Sequence, residues 1–239
     1  MNAGTIHPVA VFHSPFISKF GIPRQSGIVE EVEGTIVLEP PYRHAEALRG
    51  LEDFDFIWLI WGFSANNMNA SSQQPPLTVR PPLLGGNTRI GVFATRSPFR
   101  PNGLGLSSVR ISHIDWDATD GPIIHVLGAD LMDGTPIYDI KPYLVYADSH
   151  PEAKCGFTDK NKWKKLKVVF ADDSAQQLSE KEQLLLQRIL ELDPRPHYQD
   201  DSQRIYGMSF GEYEIHFKVD KDVLIIVKIG NKKRKIAKR

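Results

Sequence analysis

Short apolar stretches separated by turn residues dominate the first 150 positions of the chain. Stretches that predict β-strands lie at residues 9–12, 28–38, 55–63, 104–114 and 123–131. Residues 89–94 carry a further apolar run typical of a strand, and residues 44–51 predict a short helical turn. Because short strands with turns between them outnumber helical patterns, this half of the chain favours an all-β barrel or sandwich over alternating strands and helices.

The pattern changes at residues 147–159, beyond which helix and strand signals are mixed. Residues 163–170 predict a strand, and Ser179 with Glu182 forms the capping-box pattern that opens a helix. The apolar face of that helix is predicted to be Leu185, Ile189 and Leu192, and Pro194 and Pro196 end it. Alternation at 213–219 and 223–229 around the turn 220–222 predicts a hairpin. The expected organisation is a β domain at 1–150 and a small α+β domain at 151–239.

The composition is that of a globular protein with a core, at 41% hydrophobic and 24% charged residues. The formal net charge is zero, so binding of nucleic acid would depend on local basic patches. The longest apolar run, residues 56–61, is too short to span a membrane, and Pro8 interrupts the early apolar stretch that a signal peptide would need. One cysteine and no metal-ligand spacing of histidines predict no disulfide and no metal site. The expected location is cytoplasmic.

Residues 80–102 hold the densest candidate chemistry. Four prolines and the pair Gly85-Gly86 stiffen and turn a segment that carries four arginines, Arg80, Arg89, Arg96 and Arg100. Guanidinium groups held on such loops suit recognition of a phosphate, a carboxylate or a nucleobase edge. The polar, proline-rich stretch at 66–82 is long for a loop inside a compact domain, which also indicates function.

Taken by themselves, several motifs have a structural reading beside the functional one. Residues 99–102 are good turn chemistry, and the Asp-Gly pair at 133–134 is a hairpin signal. The structural alternative for Arg96 is an ion pair. The segment 139–143 offers an acidic acceptor and a tyrosine ring, or simply a strand end. The basic residues at 232–235 are either a solvated tail or contacts to RNA phosphates.

Three motifs in the same order resemble one known family. They are Arg96-Ser97 with Phe99-Arg100-Pro101-Asn102, then Asp133-Gly134-Thr135-Pro136, then Asp139-Ile140-Lys141-Pro142-Tyr143. With supporting motifs at 14–16, 23–25, 49–51 and 78–82, they resemble the TrmO (TsaA-like) family of S-adenosylmethionine-dependent tRNA methyltransferases. The chain departs from that pattern in having Ser64-Ala65 where relatives carry His-Gln, and Gly103 where they usually carry Pro.

The resemblance implies a small TsaA-like β-barrel that N6-methylates the threonylcarbamoyl-adenosine at position 37, beside the anticodon of a threonine tRNA, and that forms homodimers. It implies S-adenosylmethionine as the cofactor. The implied cofactor contacts are Arg24, Gln25, Ser26, Ser64, Ala65, Arg96, Leu106, Asp133, Gly134, Thr135 and Pro136. No metal is expected in the site.

Roles in the reaction can be assigned on the same basis. We expect Asp139 to accept a hydrogen bond from N6–H, Tyr143 to stack on the base and Asn102 to fix one of its edges. The residues expected to contact RNA are Arg80, Arg100, Lys141, Lys232, Lys233, Arg234 and Lys235. Two alternatives stay open: a non-catalytic RNA-binding β-barrel, and a methyltransferase that acts on a small molecule.

Overall fold

The computed structural model describes residues 4–64, 76–195 and 201–231. The chain divides into two compact units. The first contains the described residues up to Ser14 and Pro23–Lys162, and the second contains Pro15–Ile22 and the chain from Trp163 onward. The sequence predicts a domain boundary at residue 150, whereas the boundary between the two compact units lies between Lys162 and Trp163. No sequence pattern indicates that residues 15–22 belong with the second unit.

Strands make up most of the regular structure, as the mainly β prediction requires. The first unit contains β1 (Ala10–His13), β2 (Glu33–Leu38), β3 (Phe56–Gly62), β4 (Thr78–Val79), β5 (Ile90–Gly91), β6 (Leu104–Asp115), β7 (Ile123–Leu127) and β8 (Thr135–Pro142). Its helices are short: α1 (Ala45–Leu48), α2 (Val145–Asp148) and α3 (Phe157–Lys160). The second unit contains β9 (Lys167–Phe170), α4 (Glu180–Leu190), β10 (Tyr206–Phe210), β11 (Tyr213–Asp220) and β12 (Val223–Asn231).

Six strands of the first unit pair in the order β1-β2-β7-β6-β3-β8, and β8 pairs back to β1. Every one of these pairings is antiparallel. The closing register places Phe12 opposite Thr135 and Ala10 opposite Ile137. Closure of the ring leaves none of these strands with an unpaired edge that could template association with another chain.

Alternate residues of these strands point into one apolar core. The core includes Phe12, Ile36, Leu59, Ile124 and Ile137, all fully buried. Side chains of this core pack so closely against the backbone that some positions have no room for a Cβ atom and require glycine. At Gly34, for example, an added Cβ would collide with the tip of the Phe12 ring. The strand predictions therefore succeed wherever in–out alternation is regular.

Three predictions for the first unit need correction. The run 89–94 is a strand only at β5, and a 3-10 turn at Val92–Ala94 follows, closed by a hydrogen bond from the Thr95 amide to the Val92 carbonyl. Arg96 therefore lies in a loop rather than at the end of a long strand. The predicted strand 123–131 ends at Leu127, because Gly128 takes a left-handed conformation with φ 76°. The predicted strand 28–38 begins only at Glu33.

The second unit is a four-stranded sheet in the order β10-β11-β12-β9, with α4 following β9 in sequence. The predicted hairpin is confirmed as β11 and β12. The predicted capping box is also present: Ser179 accepts from the Glu182 amide while the Glu182 side chain accepts from the Ser179 amide. The buried face of α4 is Leu186, Ile189 and Leu190 rather than the predicted set centred on Leu185. No sequence pattern predicts strand β10.

The segment 15–22 supplies aromatic packing to this second unit. Phe16 is fully buried, and the Phe20 ring stacks on Phe217 of β11 with centroids 6.2 Å apart. A Cβ added at Gly21 would collide with the Met208 sulfur, so the chain passes very close to β10. In the described part of the chain, no helix is long and apolar enough to cross a membrane.

Candidate functional site

The antiparallel ring brings three long connections to one end of the barrel, which we call the site end. They are the part of the β1–β2 connection that belongs to the first unit (14 and 23–32), the β3–β6 connection (63–103) and the β7–β8 connection (128–134). An antiparallel pair places the end of one strand beside the start of the next, so these loops lie together although their sequences are far apart. Among the described residues, every cofactor contact that the resemblance implies lies in or next to these three connections.

Gln25 and Arg96 join the first two of these connections. An Arg96 Nη1–H donates to the Gln25 Oε1 over 2.6 Å, and the Gln25 Nε2 donates to the carbonyl of Arg24. A guanidinium has five N–H donors in a planar fork, so this single bond fixes its direction and leaves capacity for a carboxylate. The Arg96–Gln25 bond is exposed to solvent, and Ser26 beside it is half-buried.

A chain of hydrogen bonds runs from the barrel core to this pair. The Trp61 indole N–H donates to the Ser107 hydroxyl over 3.0 Å, and that hydroxyl donates to the Asp130 carboxylate over 2.6 Å. The backbone amides of Ser26 and of Asp130 itself lie close enough to the Asp130 carboxyl to favour its ionised form. Burial raises the pKa of the Asp130 carboxyl above its ordinary value, while these hydrogen bonds and the positive charge of Arg96 act to lower it.

The Asp133–Gly134–Thr135 turn is clipped to the end of β1. The Asp133 Oδ1 accepts from the Ser14 amide at 3.2 Å and lies 3.1 Å from the His13 Nδ1, and the Gly134 amide donates to the Phe12 carbonyl. Gly134 has φ 75°, a conformation that glycine adopts without steric cost. The motif is therefore a turn, in which the Thr135 amide donates to the Met132 carbonyl, and it is not a hairpin, because β7 and β8 do not pair with each other. The turn presents its backbone at the site end.

A cleft of about 230 Å³ lies at the same end. Its walls are Gly62, Phe63, Ser64, Pro101, Asn102, Gly103, Pro136 and Tyr138. The Tyr138 ring covers Gly62 so closely that an added Cβ there would lie 2.8 Å from a ring carbon. The lining therefore includes two aromatic residues and Asn102, residue types that can stack on a base and read its edge.

The turn that carries Asn102 is held by backbone hydrogen bonds. The Gly103 amide donates to the Arg100 carbonyl, and the Gly103 carbonyl accepts from the Phe63 amide at 2.9 Å. The Arg100 guanidinium donates to the Thr95 carbonyl, which ties it to its own loop. Gly103, where relatives usually carry proline, stands at φ 58°, a value closed to proline, and it forms part of the cleft wall.

The side chains of segment 139–143 do not form one cluster, because they are spread along β8 and just beyond its end. A bulge in the β3–β8 pairing sets Ile137 opposite Trp61 but Asp139 opposite Ile60, so Tyr138 and Asp139 both lie between the core-facing Ile137 and Ile140. The Asp139 carboxylate, 45% exposed, pairs with the Lys141 ammonium at 2.8 Å. Lys141 itself is an exposed residue of β8.

Tyr143 lies at the other end of the barrel. Its amide donates to the Phe56 carbonyl at the start of β3, and its ring packs against Trp58 with centroids 5.6 Å apart. The extended chain of β8 separates it from Pro136 in the cleft, a span of roughly 20 Å. The structure therefore separates Tyr143 from Asn102, and Tyr138 is the tyrosine that lines the cleft.

The remaining site predictions have mixed placements. Ser64 lines the cleft, and Leu106 is an exposed residue of β6 at the site end. Arg80 is exposed just after β4. Ala65 and the basic residues Lys232, Lys233, Arg234 and Lys235 lie outside the described residues.

Sequence reasoning missed Tyr138, Ser107 and Asp130. Asp130 carries a weak signal, because it is the one charged residue of the apolar stretch 126–131, where a buried polar group needs a partner. Ser107 carries none, because its strand holds several other polar residues. No signal marks Tyr138 over Tyr143. In the described ranges, no group of three or more His, Cys, Asp or Glu side chains is arranged to hold a metal ion.

Comparison with known proteins agrees with this architecture over nearly the whole chain. Residues 11–149 match the tRNA-methyltransferase O N-terminal domain, and residues 163–232 match the TrmO C-terminal domain. The tRNA (adenine(37)-N6)-methyltransferase of Escherichia coli is 36% identical over 227 residues, which cover 92% of this chain and 94% of that protein. A protein of the same name from Eikenella corrodens is 43% identical over 72% of this chain and 95% of its own length.

Comparison with solved structures also identifies TrmO proteins as similar to this chain. A crystal structure of TrmO from Pseudomonas aeruginosa superposes with a TM-score of 0.74 at 29% identity, covering 96% of this chain and 100% of that one. Both family domains, the full-length relatives and the superposed structure thus agree with the motifs at the site end. The chain belongs to the tRNA-methyltransferase O family.

Proposed function

We propose that this protein is an S-adenosylmethionine-dependent enzyme that methylates N6 of adenosine 37 in tRNA. Full-length relatives that carry this activity in their names support the reaction and the tRNA substrate. The observation that carries the proposal is the common placement, at one end of the barrel, of the Gln25–Arg96 pair, the Asp133–Thr135 turn and the cleft lined by Asn102 and Tyr138. The finer proposal is that the base carries a threonylcarbamoyl group, in the anticodon loop of a threonine tRNA.

The residues present suit the cofactor. Its methionine part ends in a carboxylate, which matches the fork of Arg96 held by Gln25. Its ribose and adenine offer hydrogen-bonding groups for backbone at the Asp133–Thr135 turn, where no atom lies within 4 Å of a Cβ position on Gly134. When bound, S-adenosylmethionine supplies a methyl group activated by its positively charged sulfur.

The target base is proposed to occupy the cleft. Tyr138 and Phe63 would stack on it and the Asn102 amide would bond to its edge, which holds N6 in one direction. The base of an unpaired anticodon loop can be turned out into such a cleft at lower cost than a paired one. Asp139, the neighbour of Tyr138 in β8, is proposed to accept a hydrogen bond from N6–H, with Lys141 holding the carboxylate.

Further substrate contacts are assigned to cations around the cleft. Arg80 and Arg100 lie in the connection that forms one wall of the site end, and both suit RNA phosphates or the threonylcarbamoyl carboxylate. The basic residues at 232–235 are proposed to add phosphate contacts. A homodimer is proposed from the family resemblance.

The test of the function is single-turnover methyl transfer from S-adenosylmethionine to purified tRNA, with nucleoside analysis of the product. Transfer to a threonine tRNA that carries threonylcarbamoyl-adenosine, and none to a transcript without that modification, is expected. Methylation of the unmodified transcript at the same rate would reject the finer substrate while leaving the reaction intact. Binding of tRNA without methylation would favour a non-catalytic RNA-binding barrel.

Arg96→Ala is expected to weaken S-adenosylmethionine binding by about 1.5–3 kcal/mol, since the variant lacks a charge-assisted hydrogen bond to the cofactor carboxylate. Calorimetry in excess chelator measures it, and the wild type should bind equally with and without chelator. Arg89→Ala is the matched control, because Arg89 bonds to Thr78 in the same connection. Equal losses of affinity in both variants would remove Arg96 from the cofactor site.

Removal of residues 232–239 is expected to weaken tRNA binding and leave cofactor affinity unchanged. Six of these eight residues are basic, and every phosphate that they no longer neutralise reduces the slope of log affinity against log salt by about 0.9. Filter binding of tRNA across a salt series measures both the affinity and the slope. A truncated chain with the wild-type slope would show that the tail binds no phosphate.

A further inference from the structure

The Asp130 side chain lies where the barrel core meets the loop that carries Gln25 and Ser26. Its carboxylate accepts from the Ser107 hydroxyl over 2.6 Å, and the amides of Ser26 and of Asp130 itself lie close enough to lower the pKa of the carboxyl. Ser107 is a buried residue of β6 and is itself fixed by the Trp61 indole. The Ser107 hydroxyl therefore holds the Asp130 carboxylate from the side of the core, next to the Ser26 amide.

A backbone hydrogen bond next to Asp130 also ties the β1–β2 connection to the β7–β8 connection. The Gly27 amide donates to the Gly128 carbonyl over 2.8 Å, so Ser26 and Gly27 are both bonded to the connection that follows β7. Gln25 directly precedes Ser26 and Gly27, and its side-chain oxygen accepts a hydrogen bond from the Arg96 guanidinium. Movement of Ser26 would therefore move the acceptor that directs Arg96.

Asp130 and Arg96 carry opposite charges and lie near each other. Burial of the carboxyl raises the pKa of Asp130, and the nearby Arg96 charge opposes that rise by stabilising the ionised carboxylate. The Arg96 guanidinium therefore lies near this carboxylate, and its direction is set by the hydrogen bond that Gln25 accepts.

We propose that Asp130, fixed by Ser107 and Trp61, is a positioning residue that sets the Gln25–Arg96 pair for the carboxylate of the methyl donor. It acts through the Ser26 amide and does not itself need to touch the cofactor or the base. The inference rests on the proposed function, because it assigns Arg96 to the cofactor.

Asp130→Asn is the first test. Asparagine keeps the volume but offers one carbonyl oxygen in place of two carboxylate oxygens, and it removes the charge beside Arg96. We expect affinity for S-adenosylmethionine and for S-adenosylhomocysteine to fall by the same factor, about tenfold or more. Single-turnover methyl transfer at saturating cofactor is expected to stay within about threefold of the wild type, since a uniform binding loss leaves the bound-state rate alone. A loss confined to S-adenosylmethionine would show that Asp130 acts on the sulfonium charge and would overturn the positioning role.

Asp148→Asn is the matched control. The Asp148 carboxylate accepts two hydrogen bonds, one from the Trp58 indole and one from the Leu144 amide. Asp148 follows β8 at the end of the barrel away from the site, so cofactor affinity should not change. Equal losses of affinity in Asp130→Asn and Asp148→Asn would indicate general destabilisation and reject the proposal.

The double-mutant cycle with Arg96→Ala separates positioning from structure. If Asp130 acts through Arg96, Asp130→Asn should cost almost nothing further in the Arg96→Ala background, whereas a general structural loss would persist there. Ser107→Ala gives the same test without altering a charge, and it serves if Asp130→Asn does not fold. Undiminished losses in the Arg96→Ala background would overturn the proposal.

Failure of this inference differs from failure of the proposed function. A wild-type protein that binds S-adenosylmethionine but methylates no tRNA would contradict the function, and the affinities of the variants would still decide the role of Asp130. A wild-type enzyme that methylates tRNA, with an Asp130→Asn variant of unchanged cofactor affinity, would contradict only the inference. A wild type that binds no S-adenosylmethionine would overturn both.

Discussion

Tyr138→Leu is expected to lower single-turnover methyl transfer to tRNA by about 10- to 100-fold, because stacking on a base contributes about 1–3 kcal/mol. Tyr138 lines the cleft and its ring covers Gly62, so leucine keeps an apolar wall but has no flat ring. Affinity for S-adenosylmethionine should fall much less than the transfer rate, since Gln25 and Arg96, the proposed contacts to its carboxylate, lie on other connections.

Tyr143→Leu is the matched control for that variant. The same substitution at the other end of the barrel replaces a ring that packs on Trp58 and Phe56, and leucine preserves much of that packing. Its methyl-transfer rate should stay within about threefold of the wild type. The opposite result, with Tyr143→Leu impaired and Tyr138→Leu normal, would restore the role that the sequence motif suggests for Tyr143 and remove the base from the cleft.

Phe12→Ala is expected to reduce the free energy of unfolding by about 3–5 kcal/mol. Phe12 is fully buried, its ring fills the space beside Gly34, and its carbonyl holds the Gly134 amide. Removal of the ring therefore creates a cavity at the strand pair that closes the barrel. Chemical denaturation followed by tryptophan fluorescence and circular dichroism measures the change.

Phe93→Ala provides the comparison, because Phe93 is 79% exposed and its replacement should change the unfolding free energy by no more than about 0.5 kcal/mol. The two units can unfold separately, so two transitions are acceptable and only the one that reports the barrel should shift for Phe12→Ala. Equal, small effects for both variants would mean that the barrel core tolerates this cavity by collapse.

The strands of the barrel could be predicted from the sequence because burial of one face of a strand favours apolar residues at every second position. That pattern is clear in β11 of the β11–β12 hairpin, whereas β3 is marked by a continuous apolar run. It fails for residues 89–94, where the apolar run leads into a 3-10 turn. It fails also for residues 15–22, because the partner of Phe20 lies far away in the chain, at Phe217.

The candidate site was predictable as a set of loops and not as a geometry. Arginine, proline and the Asp-Gly pair mark residues 80–102 and 133–136 by their chemistry. Tyr138 reaches the cleft and Tyr143 does not because they lie at opposite ends of β8, which the motif alone does not reveal. The bulge opposite Ile60 and Trp61 also sets the side to which Tyr138 and Asp139 point. Ser107 and Asp130 meet only because the strands pair as they do, so their hydrogen bond is a property of the fold.

The segment 15–22 has a consequence for the order of events during synthesis. Phe20 leaves the ribosome long before Phe217, the residue on which its ring stacks. At about 5–20 residues per second, a separation of roughly 200 positions means that this partner is made roughly 10–40 s later. During that interval Phe16 and Phe20 have no native core to enter, and a fragment cut after Lys162 would stay in that condition permanently.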